Sequence, residues 1–185
     1  VRDKLSAGKI PIVLTTDNGR SAKGFCNLGT TTIDFTIKSI CGTNNQDLSR
    51  DNISVDITEK ADKAKAIVKK KIKTDKEGKP EDFTPELEIG KTYILYVKGP
   101  KSIGKKVEFT AEEGTTMVDD IILPVGDIYP VNIPDNKINA FDKSEMSREW
   151  SLITDVTRPA DLNNDLRVNS IDYSCLLNNY NKNGD

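Results

Sequence analysis

The sequence predicts a mainly β N-terminal sandwich over residues 1–125 and a small all-α domain of two loop-helix repeats over residues 126–185. Three observations carry this. Short apolar bursts at period two, divided by Gly, Asn, Asp and Pro, run as far as Pro124. The charge balance then turns, from 21 basic and 19 acidic residues before Gly126 to six basic and ten acidic from there on. Finally, "DNKINAFDKSEMSREW" (Asp135 to Trp150) falls on "DLRVNSIDYSCLLNNY" (Asp165 to Tyr180) when the chain is slid by 30 residues.

The strands follow in order. "KIPIVLTT" (Lys9 to Thr16) is closed by the turn signal "DNG". "TIDFTIKSI" (Thr32 to Ile40) sets Ile33, Phe35 and Ile37 on one face, and "NISVDIT" (Asn52 to Thr58) alternates in the same way. "EKADKAKAIVKKKIK" (Glu59 to Lys73) holds helix-forming Ala and Lys. Its Ala66, Val68 and Ile72 nevertheless fit a strand face, and "TDKEGK" after it reads as a hairpin turn. Strand is the expectation there, with the lysines as a solvated or edge-blunting face. "KTYILYVKGP" (Lys91 to Pro100) puts Tyr93, Leu95 and Val97 on one side, and "KKVEFTA" and "MVDDIIL" complete about seven strands, the number of a β-sandwich.

Whole-chain properties exclude several functions. The net charge is -2 with 30% charged residues, without the basic balance of a nucleic-acid binder. No run of about 18 apolar residues offers a membrane span. With neither an initiator Met nor a signal peptide, the chain reads as a processed piece of something longer. It contains no histidine, which removes Ser-His-Asp triads and histidine-bound zinc or haem. No other catalytic set stands out, and the expectation is a protein that is not an enzyme. The cysteines are Cys26, Cys41 and Cys175. Cys26 and Cys41 share one β region and could pair in a secreted protein, or be two small buried apolar residues; Cys175 reads as a core residue.

The repeat carries the chemistry. "DLNNDLRVNSID" places oxygen ligands at the first, third, fifth, seventh, ninth and twelfth positions: Asp161, Asn163, Asp165, the carbonyl of Arg167, Asn169 and Asp172. A hard cation that takes six to eight oxygens, Ca2+, suits that schedule. Val168 at the eighth place would pin the loop to the core, and Asp172 would complement a helix dipole. Three carboxylates without an ion repel one another, so the metal should stabilise the fold. In the first copy Asp135, the carbonyl of Lys137, Asn139 and Asp142 match at an offset of 30. Val131 and Ile133 stand where the opening ligands would map. Asp127, at an offset of 34, is the nearest first ligand, with Asn132 as a substitute inside a four-residue insertion.

Opening with "GDI" at Gly126 and "ADLNNDLRVNSID" in the second copy, this third of the chain resembles a dockerin, a pair of loop-helix half-EF-hands. It departs at position six, usually Gly, where Asn136 and Leu166 stand, and in the inserted first loop. "GKTYILYVKGPKSIGKKVEF" (Gly90 to Phe109) is similar to the last strands of the Ig-like or prealbumin-like modules that precede dockerins in secreted bacterial proteins. The resemblance implies two Ca2+ sites, an extracellular or cell-surface location, and a cohesin-like partner domain. Contact residues would be those before each twelfth-position Asp: Ala140 and Phe141, Ser170 and Ile171. Differences between the copies imply one docking orientation. The same residues also allow Phe141 and Ile171 merely to pack the helices together. A rival role is a structural subunit of a surface filament that assembles with copies of itself, for instance by strand addition through "KIPIVLTT".

Overall fold

Alternation decides which face of each strand is covered. In β6 (Ile53–Glu59) the side chains of Ile53, Val55 and Ile57 are wholly buried, and in β9 (Thr92–Lys98) those of Tyr93, Leu95 and Val97 are. β6 and β9 pair antiparallel at the centre of a four-stranded sheet. β10 (Lys105–Thr110) flanks β9, and β7 (Ala66–Ile72) flanks β6. The ambiguous Ala/Lys stretch is thus a strand, and an edge strand, with its lysines facing solvent and its hairpin turn at Gly78. The structure, a computed structural model, describes residues 10–15, 21–26, 28–41, 44–45, 47–48, 51–62, 66–81, 83–153 and 158–185. The "DNG" turn and the Cys26 side chain lie outside these.

A second layer faces that sheet. β3 (Leu28–Asp34) pairs with β8 (Glu86–Glu88) and, in parallel, with β11 (Gly114–Met117). β4 (Ile37–Cys41) pairs with β5 (Asn44–Asn45) and, in parallel, with β12 (Ile121–Leu123). The sequence reads Thr32 to Ile40 as one strand; the structure breaks it at Phe35 and Thr36, where the parallel neighbour breaks too, around Asp119 and Asp120. The amides of Val118 and Ile121 donate to Asp34 and Thr36 across the bend. Ile33, Phe35 and Ile37 stay buried on both sides of it and meet β6 and β9 in the main core. β1 (Ile10–Thr15) and β2 (Ser21–Cys26) form a separate antiparallel pair.

After Leu123 the strands end, and two nine-residue helices follow, α1 (Ala140–Arg148) and α2 (Ser170–Asn178). Their offset of 30 recurs in the backbone. Asn139 and Asn169 are N-caps with near-identical dihedrals, each accepting at 2.8 Å from the amide two residues on. Asp142 and Asp172 complete the capping boxes. Left-handed residues repeat as Asn136 with Leu166 and Ser151 with Asn181. Each loop pairs with the segment behind the other helix: Lys137 bridges Asn183, and Arg167 bridges Ile153. The two repeats therefore embrace. None of the helices among the described residues is long and apolar enough to cross a membrane.

The small second core contains Ile138, Met146, Val168, Leu176 and Cys175, together with Cys41 and Ile103 from the strand region. Cys175 and Cys41 form a disulfide, with Cα atoms 5.1 Å apart and a sequence separation of 134. This corrects the expectation of a Cys26–Cys41 pair; Cys175 is a core residue of a helix, as expected, and is in addition the partner of Cys41. The covered face of α2 lies on β4, and that contact, which no local spacing encodes, brings the two sulfurs together. Closing so long a loop restricts the unfolded chain strongly. Reduction, or Cys41→Ser with Cys175→Ser, should cost about 2–5 kcal/mol of unfolding free energy. Urea denaturation with and without reductant checks this; coincident midpoints would refute it.

Candidate functional site

The two loops are built alike around their first and last carboxylates. In the second, both oxygens of Asp172 accept amides: Oδ1 from Leu162 and Asn163, Oδ2 from Asn169. Asp161 accepts the Asp165 amide on Oδ1 and the Leu166 amide on Oδ2. Asn163 accepts from the Asp165 amide and donates its own amide to Asp165 Oδ2, while Asp165 Oδ1 accepts from the Arg167 amide. Asp161 and Asp172 are buried; Asp165 and Arg167 are exposed. Burial pushes the Asp161 carboxyl above its usual range, against the pull of Lys101 and of its two amide bonds.

The first loop repeats this frame in a different register. Asp142 Oδ1 accepts from Ile128 and Tyr129, and Oδ2 from Asn139; Asp127 Oδ2 accepts from Asn136. Asp127 thus stands where Asp161 stands, and Tyr129 where Asn163 does. Sequence reasoning offers Asn132 for the missing oxygen, but the hydrogen bonds give the third place to Tyr129. Its ring stacks on Phe141 at 5.7 Å between centroids. Asn132 is exposed on a lip with Val131 and Ile133, across a groove from Asp51, Ser54 and Lys71. Asp135 is exposed and accepts only from Lys137. Gly126, at φ +127°, lets the chain pass against Ile138, whose Cγ2 would lie 3.1 Å from any added Cβ.

One turn of the sandwich touches both loops, which sequence reasoning missed. Lys98, at the end of β9, donates to the Asp127 carboxylate, to the Ser102 carbonyl at 2.9 Å and to Asn136 Oδ1 at 3.3 Å. Three residues on, Lys101 donates to the Asp161 carbonyl at 2.6 Å and to Asn164 Oδ1 at 2.7 Å. Burial lowers the Lys101 ammonium from its usual value, and nearby Asp161, Asp51, Asp172 and Glu149 oppose that. Asn136 Oδ1 also receives the Gly104 amide at 2.7 Å. In the sequence, "VKGPK" looks like an ordinary hairpin turn; only the folded contact gives it this role.

What can the loops hold? Among the described residues no three His, Cys, Asp or Glu side chains stand together as a metal cluster. The second loop still offers an all-oxygen donor set of Asp161, Asn163, Asp165, Asp172 and the Arg167 carbonyl, and carboxylate oxygens that accept amides keep further lone pairs. By its chemistry, though no three of its carboxylates stand together, that set suits a hard divalent cation. The first loop does not, because its third place is an aromatic ring and its first carboxylate already carries an ammonium.

The expected docking residues are free of the helix interface. Ala140 and Ser170 are exposed, Phe141 is 63% exposed and Ile171 51%. Helix packing instead uses Met146, Leu176 and Cys175 within, and an edge-to-face contact of Trp150 with Tyr173 at the rim. Phe141, Ser144, Ser147 and Arg148 on α1 have Ile171, Ser174, Leu177 and Asn178 as exposed counterparts on α2.

No protein-family model and no curated protein matches this chain. Solved structures do. Chains from two crystal structures of a type II cohesin–X-dockerin complex from Acetivibrio cellulolyticus superpose on it, one an N-terminal and one a C-terminal interface mutant. The first gives a TM-score of 0.64 at 17% identity and the second 0.63 at 16%; each covers 83% of this chain and 97% of the other. Identity at this level makes the likeness one of fold.

Position six of the second loop carries a cost. Leu166 sits at φ 67°, a conformation that disfavours a Cβ by about 1–2 kcal/mol. Leu166→Gly should therefore raise the melting temperature, by the equivalent of about 0.5–1 kcal/mol once the extra freedom of unfolded glycine is subtracted. A lower melting temperature would show that the Leu166 side chain, 39% exposed, contributes more by packing than its backbone costs.

Proposed function

We propose that this chain is a non-catalytic extracellular interaction module that docks to a cohesin-type domain through the exposed face of α1 and α2, with Ca2+ held in the second loop. The observation that carries the reading is the exposure of Phe141 and Ile171 at equivalent places in a duplicated unit. Two large apolar residues at the starts of paired helices, turned away from their own core, are what a partner surface needs. The fold likeness supports the same side of the complex. Its 83% coverage exceeds what residues 1–125 can supply, so it runs into the helices. That favours the X-dockerin of those complexes as the counterpart, with the sandwich as its adjoining module.

The division at residue 125 is part of this reading, with the qualification that the helical unit shares its core with Cys41 and Ile103. The two repeats present unlike surfaces, Phe141, Ser147 and Arg148 against Ile171, Leu177 and Asn178, which favours one orientation of docking. Calcium would be bound by Asp161, Asn163, Asp165, the Arg167 carbonyl and Asp172, and would supply the positive charge their carboxylates lack.

Calorimetric titration against type II cohesin domains tests the proposal. Phe141→Ala and Ile171→Ala should each weaken binding about tenfold or more, as for residues at the centre of an interface. EDTA should weaken it as well. Binding that ignores both substitutions would remove this face from the account.

A further inference from the structure

Lys98 stands at the first loop as a cation would. Its ammonium has three protons and finds three acceptors: the Asp127 carboxylate, the Ser102 carbonyl and the Asn136 amide oxygen. Asp127 is wholly buried and the Lys98 side chain four-fifths so. A buried carboxylate without a counter-charge is costly, and this lysine supplies the charge from another part of the fold. The second loop differs. Lys101 there bonds a backbone carbonyl and Asn164, and no salt bridge reaches Asp161, Asp165 or Asp172 among the described residues. One repeat has its first carboxylate neutralised by a lysine of the sandwich; the carboxylates of the other are paired with amides alone among the described residues.

We infer that Lys98 is the resident cation of the first loop, and that the chain takes up a divalent ion at the second loop alone. The second half of this statement rests on the proposed function; the first half does not. A Ca2+ entering the first loop would meet an ammonium on its first carboxylate and, at its third place, Tyr129, whose ring is turned onto Phe141. One feature points the other way: Asp127 Oδ1 is buried with no hydrogen-bond partner. A single oxygen does not make a site, but it makes counting the bound ions decisive.

Amide hydrogen exchange on the whole oxidised chain, with Ca2+ or with EDTA, reads both loops at once. The amides of Ile128, Tyr129 and Asn136 report the first loop, and those of Leu162, Asp165 and Leu166 the second. The expected result is first-loop exchange unchanged by Ca2+ within about twofold, second-loop exchange slowed about tenfold or more, and faster first-loop exchange in Lys98→Gln under both conditions. Protection of the first loop by Ca2+ would overturn the inference, as would a Lys98→Gln variant that exchanges there like the parent. If neither loop of the parent responds to Ca2+, the calcium reading fails by itself, and Lys98→Gln still decides the role of the lysine. Should that variant not fold, equilibrium dialysis of the parent with 45Ca2+ decides: one bound ion supports the inference, and two or none overturn it.

Discussion

The turn Lys98–Gly99–Pro100–Lys101 is the contact on which the rest of the molecule depends. The helical unit contributes a small apolar core and buries several carboxylates, among them Asp127, Asp142, Asp161 and Asp172. Capping boxes and loop amides satisfy many of those oxygens, but amides do not neutralise charge. The sandwich supplies what is missing: an ammonium on Asp127, another beside the backbone of Asp161, Ile103 in the second core, and a disulfide from β4 to α2. The helices are completed by the strands they rest on, more than they are appended to them.

Duplication explains the economy of the helical unit. The two copies exchange short strand bridges, so each loop is held by the tail of the opposite helix. Both use an Asn cap, an Asp three residues later and a left-handed residue at position six. Divergence then gives them separate tasks. In the first copy Tyr129 stands where the second has Asn163, and its ring stacks against Phe141 on the exposed face. The second copy keeps its oxygens and pays for Leu166 with backbone strain.

The central strands were legible because alternation and burial agree in them: Ile53, Val55 and Ile57, then Tyr93, Leu95 and Val97. The repeat was legible because caps, core residues and the Asp and Asn positions from Asp135 onward recur together at one offset. The bend between β3 and β4 was not, since Ile33, Phe35 and Ile37 keep their period through it. The Cys41–Cys175 bond was hidden by 134 residues of separation, which makes cysteine spacing uninformative. The third place of the first loop was not legible, because sequence matching looked for a nearby oxygen and offered Asn132, while the backbone amides of Ile128 and Tyr129 bonded to Asp142 put Tyr129 there. Two lysines in a hairpin turn announce nothing until the partners they reach are known.

If the helices are completed by the sandwich, the whole oxidised chain must unfold as one cooperative body. Differential scanning calorimetry in the presence of Ca2+ tests this directly. The account predicts a single transition whose calorimetric and van't Hoff enthalpies agree. Two separated transitions, the smaller with the enthalpy of a unit of about 60 residues, would contradict it.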